Sequence, residues 1–123
     1  MSEGKFATSV SCIDGRVQFP LAAWIKETHS VDFVDVISEP GVDKKIVENI
    51  DLESIKRKIE ISISAHKSRL IVVSGHHDCA GNPVSEDVHI SQIKKGVEAI
   101  SSWNLDVKVI GVWVDASWNI NSV

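Results

Sequence analysis

Apolar positions along the chain change period from segment to segment, and the changes mark out its elements. Residues 6–11, FATSVS, read as a short strand ending at Cys12. In 17–28, VQFPLAAWIKET, the apolar Val17, Leu21, Trp24 and Ile25 recur at helical spacing, with Pro20 expected in the first turn. Residues 31–37, VDFVDVI, alternate in part and predict a second strand, closed by the turn chemistry of SEPG at 38–41. Residues 43–67 are helical in character, with a break expected near Asp51, a candidate cap for a second helix whose stripe is Ile55, Ile59 and Ile63. RLIVVS at 69–74 is an apolar run bounded by polar residues, as in a strand buried on both faces. Ile93, Val97 and Ile100 recur helically within 86–101, and VKVIGVWV at 107–114 predicts a last strand. The tail DASWNINSV has no readable period.

Strands alternate with helices, which predicts an α/β fold: one domain over residues 1–123, with a mainly parallel central sheet of about four strands flanked by helices. Ligands in such sheets bind beyond the carboxyl ends of the strands. Two loops leave such ends with reactive side chains aboard, SCIDGRV after the first strand and GHHDCAG after the third.

Composition narrows the partners. The chain has 123 residues, 43% hydrophobic and 24% charged, and a net charge of −4. That balance predicts a globular core, and without a basic stripe it argues against nucleic acid as a partner. No apolar run approaches the ~20 residues that span a bilayer, so no membrane insertion is expected. MSEGKFATSV lacks the basic and apolar regions of a signal peptide, which makes the cytoplasm the expected location. In a reducing compartment Cys12 and Cys79 are expected as thiols or metal ligands rather than as a disulfide. Four Trp and three Phe in so short a chain point to apolar surface covered by a partner subunit.

Each chemical loop alone has an ordinary reading. A lone Cys behaves as a small buried hydrophobe, Asp14 and Arg16 can be a surface ion pair, and His76 and His77 can be polar loop residues. The Cys–Arg spacing in CIDGR is too short for the anion-cradling loop of a cysteine phosphatase. Taken together, the loops bring both cysteines and a histidine to the same end of candidate neighbouring strands. Two thiolates and an imidazole suit zinc, and three protein ligands leave a fourth position open, as in catalytic sites. His77 follows His76 directly in an extended segment and should point the other way.

These residues carry a family resemblance. Cys12-Ile13-Asp14-Gly15-Arg16 resembles the C-x-D-x-R motif of the β-class carbonic anhydrases, and His76-His77-Asp78-Cys79 resembles their H-x-x-C motif. RLIVVSGHHDCAG and VKVIGVWVD are similar to the family's strand contexts, so the resemblance covers roughly residues 5 to 115. It implies that Cys12, His76 and Cys79 bind Zn2+ and that Asp14 and Arg16 form a dyad beside the metal. It implies a zinc lyase that hydrates carbon dioxide reversibly to bicarbonate by hydroxide formed on the zinc, in a homodimer or higher oligomer. Asp14 would orient the attacking group, Arg16 would hold Asp14, and a freed Asp14 would close the fourth position. His77 or His89 are candidates for moving the released proton, with an exposed position the default expectation for both.

Four departures from the family pattern bear on the pocket and on dimerisation. Gly15 replaces a usual Ser, Ala80 precedes Gly81 where Gly normally follows the Cys, and Ser38-Glu39-Pro40-Gly41 stands in place of Arg-Asn-Ala-Gly. The helical arm that usually precedes the first strand is expected to be missing, since Cys12 lies near the start. Three further readings therefore stand beside carbon dioxide hydration. One is a zinc-binding protein without that activity, one is hydrolysis of carbonyl sulfide or carbon disulfide, and one is a metal-free domain with two free thiols.

Overall fold

The computed structural model describes residues 4–123; of the first ten residues, weighed above as a possible leader, 1–3 lie outside the described residues. Five strands form one sheet in the order β2-β1-β3-β4-β5. β1 (Phe6–Ser11), β2 (Phe33–Ser38), β3 (Leu70–His76) and β4 (Lys108–Val114) run parallel, and β5 (Ile120–Ser122) returns antiparallel to β4. The unread tail therefore adds a fifth strand to the four expected. Its registration, Val112 to Ser122 and Val114 to Ile120, is a tertiary pairing that a three-residue segment does not announce.

Helices cover both faces. α1 (Gly15–His29) packs Val17, Leu21 and Ile25 against Ala7, Val72, Val112 and Val114. α2 (Val42–Val47), α3 (Leu52–His66) and α4 (Glu86–Ser101) cover the other face, where Ile46, Ile55, Ile59, Ile93 and Ile100 meet Val10, Ile37, Ile71, Val73 and Trp113. The strand period explains the division, because Ile71 and Val73 point to one face while Leu70 and Val72 point to the other. All seven β3 residues are buried, as its unbroken apolar run predicts. Each fully buried Ile removes apolar surface worth about 1.5–3 kcal/mol from water.

Two local expectations are corrected. α1 starts at Gly15, so Pro20 sits past the first turn and takes one donor from the ladder; the carbonyl it leaves, on Arg16, lies in the exposed first turn. The helical stretch does break before Leu52, but Asp51 makes no side-chain cap bond and instead accepts from Lys45 Nζ at 3.2 Å. Its backbone is left-handed rather than in the extended conformation usual for a capping residue.

β1 and β3 are sheet neighbours, but the chain leaves them in opposite directions, β1 toward β2 and β3 toward β4. That reversal opens a crevice beyond their carboxyl ends, the place where doubly wound sheets bind ligands. Cys12 follows β1, and His76 ends β3.

Candidate metal centre

Cys12 leaves β1 directly into the start of α1, and Asp14 caps that helix. Asp14 Oδ1 accepts from the Arg16 amide at 2.9 Å, satisfying one of the helix's unpaired first-turn donors. The same carboxylate receives the Arg16 side chain in a forked pair, Nε to Oδ1 at 3.0 Å and one terminal nitrogen to Oδ2 at 2.7 Å. The C-x-D-x-R spacing thus has a local cause: strand end, helix cap, and a second helical residue able to fold back on the cap. Gln18 Nε2 braces the turn by donating to the Cys12 carbonyl at 2.7 Å.

On the other side of the crevice, His77 N–H continues the sheet by donating to the Val114 carbonyl at 2.8 Å. His76 Nδ1 donates to the His77 carbonyl at 2.7 Å. This bond fixes the ring and leaves Nε2 as the free nitrogen. His76 is 1% exposed, yet its Nε2 has no hydrogen-bond partner. Asp78 takes a left-handed backbone (φ 57°) that turns the chain so that Cys79 re-enters the crevice.

Cys12 Sγ, Cys79 Sγ and a nitrogen of His76 lie within 4.8 Å of one another, all on buried residues. The two sulfurs are 3.9 Å apart and unbonded, so both cysteines are free thiols as expected. Among the described residues no fourth Cys, His or carboxylate joins this group. His77, in the turn just past β3, stays exposed and outside it. Asp14 stands at the edge, its Oδ2 4.0 Å from His76 Nε2.

Burial pushes the thiols up, yet Cys12 is drawn down to about 7 because the His76 imidazole and the Gly41 and Asp14 backbone groups outweigh it. Cys79 is pushed up to about 11 by burial and by the charge of Cys12 beside it. His76 is raised despite its own burial, because Cys12 and the His77 carbonyl favour its charged form. The Arg16 side chain, above all, holds Asp14 down at about 2. A second thiolate 3.9 Å from the first is thus disfavoured unless a cation shares the site. The orphaned imidazole nitrogen and the two sulfurs together fit a soft-to-borderline divalent metal such as zinc.

The structure adds residues that the sequence did not single out. Arg16 also reaches across the crevice to Asp78, to its carboxylate at 3.3 Å and its carbonyl at 3.2 Å. The β4–β5 turn lays Trp118 under the Arg16 guanidinium. The Gly41 amide donates to Cys12 Sγ at 3.5 Å. None of these has a sequence signal, because each partner arrives from a distant loop. His89 departs from expectation: it is buried at 1% exposure and bonded through Nδ1 to Asp43, so it neither faces solvent nor stands ready to pass a proton outward.

A family model described as "Putative carbonic anhydrase" matches residues 2–123. Among solved structures, the chain is similar to the β-carbonic anhydrase CafA of the fungal pathogen Aspergillus fumigatus, with a TM-score of 0.63 at 13% identity, over 97% of this chain and 74% of that one. At that identity the likeness is one of fold. No curated protein matches the sequence.

Proposed function

The chain belongs to the putative carbonic anhydrase family, and on that premise we propose that it is a zinc lyase hydrating carbon dioxide reversibly to bicarbonate. The observation that carries this reading is the buried trio of Cys12, His76 and Cys79 with Asp14 and Arg16 at its edge. The trio would hold zinc. Zinc supplies Lewis acidity, which makes water a nucleophile near neutral pH.

The chain's own residues supply the rest. Asp14, ionised and fixed by its forked pair with Arg16, accepts a hydrogen bond from the attacking water and turns a lone pair toward the carbon of carbon dioxide. Charge-assisted bonds of this forked kind hold orientation as well as charge. Arg16 keeps Asp14 from swinging into the trio, and Asp78 keeps Arg16 from leaving. The His77 carbonyl fixes which nitrogen His76 offers. His77 itself, exposed beside the crevice, is the candidate for handing a proton to buffer.

Ile13 is 58% and Phe19 83% exposed, one beside Cys12 and the other on α1. Such large exposed apolar side chains support a homodimer or higher oligomer in which a second copy covers them. The deciding experiment is stopped-flow hydration of carbon dioxide by zinc-loaded protein. The expected result is a rate above the buffer background that is lost in Asp14→Asn. A wild-type rate at background overturns the reading and favours a zinc protein without this activity; sulfide release from carbonyl sulfide or carbon disulfide would assign the related hydrolase instead.

A further inference from the structure

Behind the trio lies a buried polar cluster with no part in the chemistry above. Asp43, on α2, is 1% exposed, and His89, on α4, is 1% exposed; His89 Nδ1 and Asp43 Oδ2 share a short hydrogen bond. Asn82, also 1% exposed, belongs to the loop that carries Cys79. Its amide nitrogen donates one hydrogen to Asp43 Oδ1 at 3.1 Å and the other to Gln92 Oε1 at 2.7 Å. Both donors of Asn82 are therefore spent on residues of two helices. Buried polar groups are costly unless satisfied, so these bonds constrain the loop that carries Asn82.

The loops joined by this cluster are the two that face the sulfurs. Asp43 lies two residues after Gly41, whose amide points at Cys12 Sγ. Asn82 lies three residues after Cys79, and its amide donates to the Cys79 carbonyl at 3.3 Å. The loops also touch through their backbones. A Cβ on Gly41 would stand 2.6 Å from the Gly81 carbonyl oxygen, and one on Gly81 would stand 2.7 Å from the Gly41 nitrogen. Gly41 further needs its left-handed φ of 58°. On β3, one residue before His76, a Cβ on Gly75 would lie 2.6 Å from Asp43 Oδ2. The cluster therefore presses on the 40–43 segment, on the end of β3 that carries His76 and on the loop that carries Cys79.

We infer that Asn82, Asp43 and His89 are positioning residues for the metal centre, clasping the 40–43 segment to the 79–82 loop so that the Gly41 amide stays aimed at the Cys12 sulfur and the turn carrying Cys79 keeps its place. The inference rests on the zinc reading of the trio. Groups that orient metal ligands in this way commonly change metal affinity about 10–100-fold when removed.

The test is zinc affinity by chelator competition, together with the sulfur-to-metal charge-transfer absorption of the cobalt-substituted protein. Asn82→Ala is expected to weaken zinc about 10-fold and to shift that absorption. Gln92→Ala, which frees one hand of Asn82 from α4 and leaves both loops untouched, serves if Asn82→Ala does not fold, and moves both readouts the same way by less. Ile59→Val is the control: a core lesion on α3 that lowers thermal stability and leaves zinc affinity as in wild type. Wild-type affinity and absorption in both Asn82→Ala and Gln92→Ala overturn the clasp alone, as does an equal loss of affinity in Ile59→Val. A wild type that binds no zinc overturns the reading of the trio and the clasp with it.

Discussion

Arg16 rests on Trp118. Its guanidinium lies 4.7 Å from the centre of the indole ring while its nitrogens hold Asp14 and reach Asp78. The ring forms a floor that a flexible side chain otherwise lacks, and Arg16 is 48% exposed, so water competes for it. A cation over an aromatic ring at such a site is worth about 0.5–1 kcal/mol. Trp118→Ala is therefore expected to lower carbon dioxide hydration about 2- to 5-fold with zinc content unchanged. Trp118→Phe should restore most of the loss. Steady-state kinetics beside metal analysis checks this; equal losses in both variants would assign the effect to the tail fold instead.

On the zinc reading, replacing one of the trio should remove the metal. Cys12→Ser and His76→Ala are each expected to purify with little zinc, as measured by elemental analysis, while the far-ultraviolet circular dichroism stays near wild type. His76 closes β3, but none of the trio belongs to the two apolar layers that hold the helices to the sheet.

Metal should also stabilise the fold by mass action. At free zinc about 100 times the dissociation constant, the gain is about 2.7 kcal/mol. Differential scanning calorimetry with and without chelator reads it as a rise in Tm of several degrees. The gain should vanish in Cys79→Ser.

Asp14→Asn tests the dyad apart from the metal. The amide retains the shape and can still cap α1, but it loses the charge that Arg16 grips. Activity is expected to fall about 10²–10³-fold, with zinc affinity changed far less. Stopped-flow hydration and chelator competition on the same sample separate the two.

The turn between β4 and β5 should loosen in acid. Asp115 is held below the usual carboxylate range by the Asn121 side chain first, at 2.9 Å, and by the amides of Asn119 and Ser117. A depressed carboxylate contributes stability above its unfolded pKa and loses it as pH falls through the folded value. Amide exchange of Ser117 and Asn119 should therefore be slowest, after correction for intrinsic rates, above about pH 4, and should quicken below it. Asp115→Asn should show the fast behaviour at every pH.

The elements with strong local signals were legible without a structure. β3 is an apolar run with little alternation, α4 shows a clear 3.6-residue stripe, and the break before α3 shows in the polar residues around Asp51. The trio was legible because two thiols and an imidazole stand in two short motifs at the ends of candidate strands; that β1 and β3 are neighbours is the sheet's own addition. β5 was not, because three residues hold no period and the pairing partner supplies the order. His89 was misplaced as well. Its helical position is ambiguous between core and surface until Asp43 arrives from α2 to satisfy it.

The amino-acid sequence alone pointed to the side chains with metal-binding chemistry and to the apolar stripes of α1, α3 and α4. Those follow from residue type and spacing, which are local. Tertiary structure alone decided that the imidazole nitrogen left free is Nε2, that Arg16 lies between Asp14, Asp78 and Trp118, and that Asn82 reaches Asp43. Each of those depends on where a distant loop comes to rest. That placement is set by how the whole sheet packs, and no window of neighbouring residues encodes it.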